Sequence, residues 1–231
     1  MTVGPELAIH VERLSRRFGR RWALDTVDLD VPCGCTLAVL GSNGAGKTTL
    51  FRVLATLLRP SAGHVEVLGS TLPGESDAVR RRAGMLTAAG YVYDELTGVE
   101  NLRFASLMSG ERLDEAALRA ALADVGLEDA ADIRARAYSA GMRKRLELAR
   151  LMLRPLDLVL LDEPFVSLDG DGVELVQNAI ERWKSRGGTV LVASHQVADA
   201  MRHADRAIRL EGGRIEPEGH VPGWDKPRGR P

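Results

Sequence analysis

Thr36-Leu37-Ala38-Val39-Leu40 runs directly into Gly41-Ser42-Asn43-Gly44-Ala45-Gly46-Lys47-Thr48, and the fold is decided at this junction. The first five residues have the length and apolar character of a short strand. The next eight match G-x-x-x-x-G-K-[ST] at every fixed position. Three glycines let the backbone turn tightly, so that successive N–H groups can face an anion. A helix is expected from Lys47 to about Leu58, ended by Arg59-Pro60, and its N-terminus points at the same anion. In a phosphate-binding loop of this kind the lysine, Lys47, reaches the β- and γ-phosphates of a nucleotide, and the Thr48 hydroxyl binds Mg²⁺. Only four of the 31 basic residues are lysines, which makes a chance match here rare.

Further along, Leu158-Val159-Leu160-Leu161-Asp162-Glu163-Pro164 is an apolar run that ends in two carboxylates. A continuous apolar strand is what a parallel sheet buried on both faces demands. Such sheets bind ligands at the C-terminal ends of their strands. Asp162 is placed to hold Mg²⁺ through a water. Glu163, one residue on, points differently and can polarise a water attacking the γ-phosphate.

Around these two anchors short β-rich runs alternate with helical patterns, the signature of parallel βαβ units. Residues 7–15 and 23–31 read as antiparallel strands, with Gly19, Arg20 and Arg21 as the turn. Strand patterns return at 157–162, 189–193 and 206–210. The stretch from about 96 to 153 differs: Glu100 to Leu107, Asp114 to Val125 and Ala140 to Leu153 carry apolar residues at helical spacing, with almost no strand. The expected architecture is α/β, a mostly parallel sheet plus an N-terminal antiparallel part, with a helical subdomain inserted at about 96–153. Residues 1–216 read as a single domain. The last fifteen residues, 217–231, hold four prolines and three glycines and read as an extended tail.

Composition removes several classes. Hydrophobic residues make up 45% and charged residues 27% of 231 residues, ordinary for a globular chain and too apolar for wholesale disorder. A formal charge of −1 gives no electrostatic footprint for nucleic acid. Cys33 and Cys35 flank one glycine, cannot alone supply four zinc ligands, and follow no secretory leader, so a reducing cytoplasm is expected. The longest apolar candidate, Leu151 to Leu161, is broken by Arg154, Pro155 and Asp157. It falls short of the roughly 18 residues a membrane helix needs.

With both motifs in place, roughly residues 7–216 resemble the ATP-binding subunit of ABC transporters. Tyr138-Ser139-Ala140-Gly141-Met142, followed by Arg143-Lys144-Arg145-Leu146, resembles the family's L-S-G-G-Q signature, with Ser139 and Gly141 retained and Tyr138, Ala140 and Met142 departing from it. By itself Ser139 is a good N-cap for the helix that follows. The resemblance implies that Ser139, Ala140, Gly141 and Met142 face the γ-phosphate held by another protomer. It implies that Phe18 stacks on adenine, with Gly41 to Thr48 and Thr49 completing the nucleotide site. Ser167-Leu168-Asp169 resembles the D-loop, and His195, after a strand, the histidine that contacts the γ-phosphate. Where the family places a glutamine in Gly84 to Gly90, this chain has Ala88. Alanine's side chain has neither donor nor acceptor, a departure that bears on the rate of hydrolysis and not on ATP binding.

The resemblance therefore implies an ATPase with ATP and Mg²⁺ as its cofactors, Lys47, Glu163 and His195 in catalysis, and Thr48 and Asp162 on the metal. Its implied partners are a second ATP-binding subunit, as homodimer or heterodimer, and an integral membrane permease, which would hold it on the inner face of the cell membrane. No nucleic acid is expected. Within the family, Leu96 to Phe104 and Ser139 to Leu153 look most like the haem-export ATPases of cytochrome c biogenesis. Two alternatives stand beside this: a soluble ABC protein outside transport, and an ATP-binding module with little turnover. The chain lacks the second cassette or sustained heptads typical of the first.

Overall fold

In the computed structural model, which describes residues 6–87 and 90–216, two β-hairpin strands open the chain. Strands β1 (Leu7–Phe18) and β2 (Arg21–Pro32) pair antiparallel across a turn at Gly19 and Arg20. Arg21, expected in the turn, already pairs with Phe18. The hairpin continues through β4 (Ala62–Val67) and β5 (Ser70–Thr71) into a sheet ordered β2-β1-β4-β5.

The second sheet carries the phosphate-loop strand, β3 (Thr36–Leu40), at its centre. Its other strands are β6 (Ala83–Leu86), β7 (Leu158–Asp162), β8 (Thr189–Ser194), β9 (Arg206–Glu211) and β10 (Arg214–Ile215), in the order β10-β9-β3-β8-β7-β6. All pairings are parallel except β9 with β10. After β3 the chain therefore passes to β6 at the sheet edge and returns through β7 to β8 beside β3, so that the C-terminal ends of β3, β7 and β8 lie together. Every residue of β3, β7 and β8 is buried. Leu37, Val39, Leu158, Leu160 and Leu191 pack toward the antiparallel sheet and helix α1 (Lys47–Leu54), while Ala38, Leu40, Val159, Leu161 and Val190 pack on the opposite face. Alternate side chains thus serve two cores, which is why these strands read as unbroken apolar runs.

Helix α1 stops at Leu54, four residues before the expected end. Thr56 takes a left-handed φ of 64°, and both Leu57 and Leu58 N–H groups turn back to the Arg52 carbonyl. That closure satisfies the helix end before Arg59-Pro60 is reached. Helix α2 (Ser76–Arg82) and strands β4 and β6 lie where periodicity gave no clear element. They are short, and β4 turns only Val65 and Val67 fully inward.

The helical stretch is as expected: α3 (Gly98–Met108), α4 (Glu115–Ala123), one 3₁₀ turn at Ala135–Ala137 and α5 (Ala140–Met152). They share a separate core of Val99, Leu102, Leu118, Leu122, Leu146 and Ala149. Helix α6 (Gly170–Ser185) packs Val176, Ile180 and Trp183 on the outer face of the parallel sheet, and α7 (Val197–Met201) follows β8. Among the described residues no helix is long and apolar enough to cross a membrane. Cys33 and Cys35 are both free thiols, and no metal-binding cluster of His, Cys, Asp and Glu is found among the described residues. Ala88 and the tail 217–231 lie outside the described residues.

Candidate nucleotide site

The loop after β3 is shaped by two close approaches. At Gly46 φ is 113°, and a side chain there would place its first carbon 2.5 Å from the Ala23 carbonyl oxygen. At Gly41 φ is 152°, and the same atom would lie 2.2 Å from the Leu210 carbonyl oxygen. Neither contact is possible for any residue but glycine without backbone movement. The turn between β9 and β10 supports the loop from below, with the Gly213 N–H donating to the Ala45 carbonyl at 2.9 Å.

Lys47 is only 6% exposed, so its ammonium must be satisfied locally. It donates to the carbonyls of Gly41 at 2.8 Å and Ser42 at 3.1 Å, and lies 3.5 Å from Glu163 Oε1. The Thr48 hydroxyl donates to Asp162 Oδ2 at 2.7 Å. Phe18, Arg21, Ser42 to Thr49 and Glu163 line a cleft of about 410 Å³ above the loop. Arg16 stacks 4.7 Å from the centroid of the Phe18 ring.

Asp162 and Glu163 reach the same place from the end of β7 with different surroundings. Asp162 is buried, and burial pushes its carboxyl up against the pull of the Thr48 hydrogen bond. Its second oxygen, Oδ1, has no hydrogen-bond partner among the described residues. A buried carboxylate oxygen left open beside a hydroxyl is an oxygen donor set of the kind Mg²⁺ takes, so the residues fit that ion. Glu163 has a left-handed φ of 50°, uncommon for a residue with a side chain. That turn sends its carboxylate to β8: Oε2 lies 2.9 Å from His195 Nδ1 and accepts from the Ser194 hydroxyl at 3.3 Å. Lys47, Thr48, Asp162, Glu163 and His195 are thus brought together by the adjoining ends of β3, β7 and β8.

The signature residues stand apart. Ser139 caps α5, its hydroxyl accepting from the Met142 N–H at 3.1 Å. None of Ser139, Ala140, Gly141 and Met142 lines the loop cleft. Ala140 lines a separate cavity of about 300 Å³ with Asn43, Glu163, Ser167 and His195. Ser167 (φ 67°) and Leu168 pack against Gly141, and Asp169 caps α6 through the Gly172 N–H at 2.8 Å while pairing with Arg145 at 2.8 Å.

Sequence reasoning missed three residues here. Ser194 supports Glu163, and Arg21 lines the cleft. Lys144 is 8% exposed and donates to the Glu163 backbone carbonyl at 2.7 Å. Burial pulls the Lys144 ammonium down, opposed by the charges of Glu147, Asp162 and Glu163. Glu147 is 2% exposed; burial pushes it up, and its carboxylate accepts from the Tyr91 N–H. The available signal was helical spacing, since Lys144 and Glu147 fall on the stripe of Leu148 and Leu151. A second feature is a groove of about 360 Å³ with Tyr91, Tyr93, Phe104, Met108, Arg150 and Leu153 among its lining residues. Met85 lines it too, so it borders the segment that contains Ala88.

The chain matches the family model described as ABC transporter over residues 24–166. It is 39% identical over 221 residues to a "Daunorubicin resistance ATP-binding protein" from Streptomyces coeruleorubidus, covering 93% of this chain and 68% of that protein. It is 40% identical over 198 residues to a "Cytochrome c biogenesis ATP-binding export protein" from Methylococcus capsulatus, covering 83% of this chain and 92% of that one. Among solved structures, an ATP-binding subunit of an ABC transporter superposes with a TM-score of 0.83 at 28% identity, over 93% of this chain and 90% of its own. The dimeric post-hydrolysis state of the cassette MJ0796, bound to ADP and Pi, superposes with a TM-score of 0.84 at 22% identity, over 94% and 100%.

Proposed function

The chain belongs to the ABC transporter family, as an ATP-hydrolysing subunit, and on that premise we propose that it dimerises around two ATP molecules and drives a separate membrane subunit. One observation carries the reading: Lys47, Thr48, Asp162, Glu163 and His195 converge on a loop in which Gly41 and Gly46 leave no room for a side chain.

In this reading Gly41 to Thr49 cradle the phosphates, Lys47 neutralises the β- and γ-phosphates, and Phe18 stacks on adenine. Thr48 and Asp162 hold Mg²⁺, which when bound offsets the phosphate charge. Glu163 takes the proton of the attacking water, oriented by its contacts to His195 and Ser194. Ser139 to Met142 of one protomer close on the γ-phosphate of the other, and Ser167 to Asp169 touch the partner's site. We read residues 1–216 as one ATP-binding domain, with a helical subdomain at about 96–153 and 217–231 as a tail.

The groove beside β6 suits the membrane subunit, because it offers exposed aromatic and apolar side chains next to the segment that, by resemblance, links the site to that partner. Peripheral attachment on the inner face of the cell membrane follows from that docking. For cargo, haem export draws on the cytochrome c biogenesis relatives and on Leu96 to Phe104 and Ser139 to Leu153. Export of an anthracycline-like drug draws on the daunorubicin-resistance relatives.

Sedimentation of Glu163→Gln with and without ATP tests the sandwich. The variant should keep the nucleotide while removing the base, so it should dimerise at saturating ATP; a monomer there contradicts the reading. With the membrane subunit reconstituted, stimulation of turnover by haem or by an anthracycline separates the two cargo readings.

A further inference from the structure

We propose that Lys144 is a positioning residue for Glu163, holding its strained backbone so that the carboxylate reaches the attacking water. The inference rests on Glu163 acting as the base.

Glu163 sits in the left-handed region at φ 50° and precedes Pro164, whose ring narrows the choices of the residue before it. Such conformations persist only where the surroundings over-determine them. Two hydrogen bonds do so here. The Glu163 N–H donates to the Ala193 carbonyl at 2.8 Å, and the Glu163 carbonyl accepts from the Lys144 ammonium at 2.7 Å. The first bond belongs to the sheet edge. The second comes from α5, a different layer, and is made by a side chain.

Lys144 has strong reason to stay in place. Its ammonium is buried, so it needs fixed partners, and a charge-assisted bond to a carbonyl is among the stronger ones available. It lines the cavity of about 300 Å³ shared with Asn43, Glu163 and His195, and there it holds the Glu163 backbone carbonyl. One turn along α5, Glu147 adds a buried negative charge and is tied to the Tyr91 N–H. Lys144 is not itself among the residues that line the loop cleft, which it reaches only through Glu163. Its removal should therefore spare nucleotide binding and disturb only the geometry of Glu163.

Steady-state hydrolysis of Lys144→Met, Lys144→Arg and Glu163→Gln, with the Lys144→Met/Glu163→Gln double variant, tests this in the full chain. Lys144→Met, which keeps the stem and loses the donor, should lower kcat about tenfold or more with KM within about twofold. Lys144→Arg, which keeps a cationic donor, should recover most of that loss. In the Glu163→Gln background Lys144→Met should have little further effect, because the group it positions is already gone. Wild-type kcat in Lys144→Met overturns the proposal, as does a rise in KM matching the fall in kcat. An undiminished Lys144→Met loss in the Glu163→Gln background overturns it alone, whereas wild-type turnover by Glu163→Gln overturns the underlying reading of the base. Should Lys144→Met fail to melt cooperatively, Lys144→Gln replaces it: lowered kcat at unchanged KM and melting temperature supports the proposal, and unchanged kcat overturns it.

Discussion

Helix α1 begins at a glycine and helix α5 begins at a serine, and the two ends behave differently because of it. Gly46 offers no side-chain acceptor, so no cap bond is made and the first-turn N–H groups stay open toward the cleft. Ser139 spends its hydroxyl on the Met142 N–H and satisfies its own helix end. The surroundings follow the same division. The α1 end is sunk between β3, β9 and the hairpin, with a buried lysine and two carboxylates within reach. The α5 end is exposed at Ser139 and Ala140. A helix end left uncapped in a cleft is built for an anion that the same chain binds. A helix end that is capped and exposed is stable alone and free to be presented elsewhere. This is the physical content behind the proposed arrangement, in which a nucleotide held by one protomer would be closed over by another.

The strongest way to break this contrast is Lys47→Ala. If the α1 end is the binding half, losing its buried cation should cut steady-state hydrolysis roughly 10³-fold and weaken nucleotide binding. Hydrolysis near the wild-type rate would mean that the loop does not hold the phosphates.

Gly46→Ala probes the same end through the fold. Its new methyl would meet the Ala23 carbonyl at 2.5 Å from a left-handed backbone, so stability should drop by about 3 kcal/mol in denaturant titration. A drop below about 1 kcal/mol would show that the loop yields more easily than its contacts imply.

Ser139→Ala is the matching change at α5. It should cost about 1 kcal/mol of stability through the lost cap. Nucleotide affinity of the monomer, followed with a fluorescent ATP analogue, should stay within about twofold of wild type, since Ser139 lines no part of the loop cleft. Weakened monomer affinity would erase the distinction between the two ends.

The smallest effect is expected for Asp169→Asn, which keeps the cap on Gly172 and loses the charge facing Arg145. The melting temperature at neutral pH should move by no more than about 2 °C, because Asp169 is itself exposed and its charge is screened by solvent. The Gly172 N–H, first, and Arg145 hold the Asp169 carboxyl below its ordinary value. Its ionised form therefore adds stability above the ordinary carboxylate range, and this is lost as pH falls through the lowered value. The two melting curves should converge in acid. A gap that widened in acid would reverse that sign.

Local sequence was sufficient wherever one short stretch carries its own geometry. Gly41 to Thr48 fixes the loop because glycine spacing, a lysine and a threonine act within one turn of chain. Leu158 to Glu163 fixes a doubly buried strand, and Ser139 announces a helix start by its own side chain. Tertiary structure decided the rest. That Glu163 adopts a positive φ, meets His195 and leans its carbonyl on Lys144 depends on β7, β8 and α5 arriving from distant parts of the chain. Helix α1 ends at Leu54 because Arg52 closes the turn through Leu57 and Leu58, while Pro60 lies beyond the end it was expected to make. Spacing along a chain specifies which residues share a helix face or a loop. It cannot specify which buried charge finds which carbonyl, since that partner is chosen only when the layers pack and leave no other way to satisfy both.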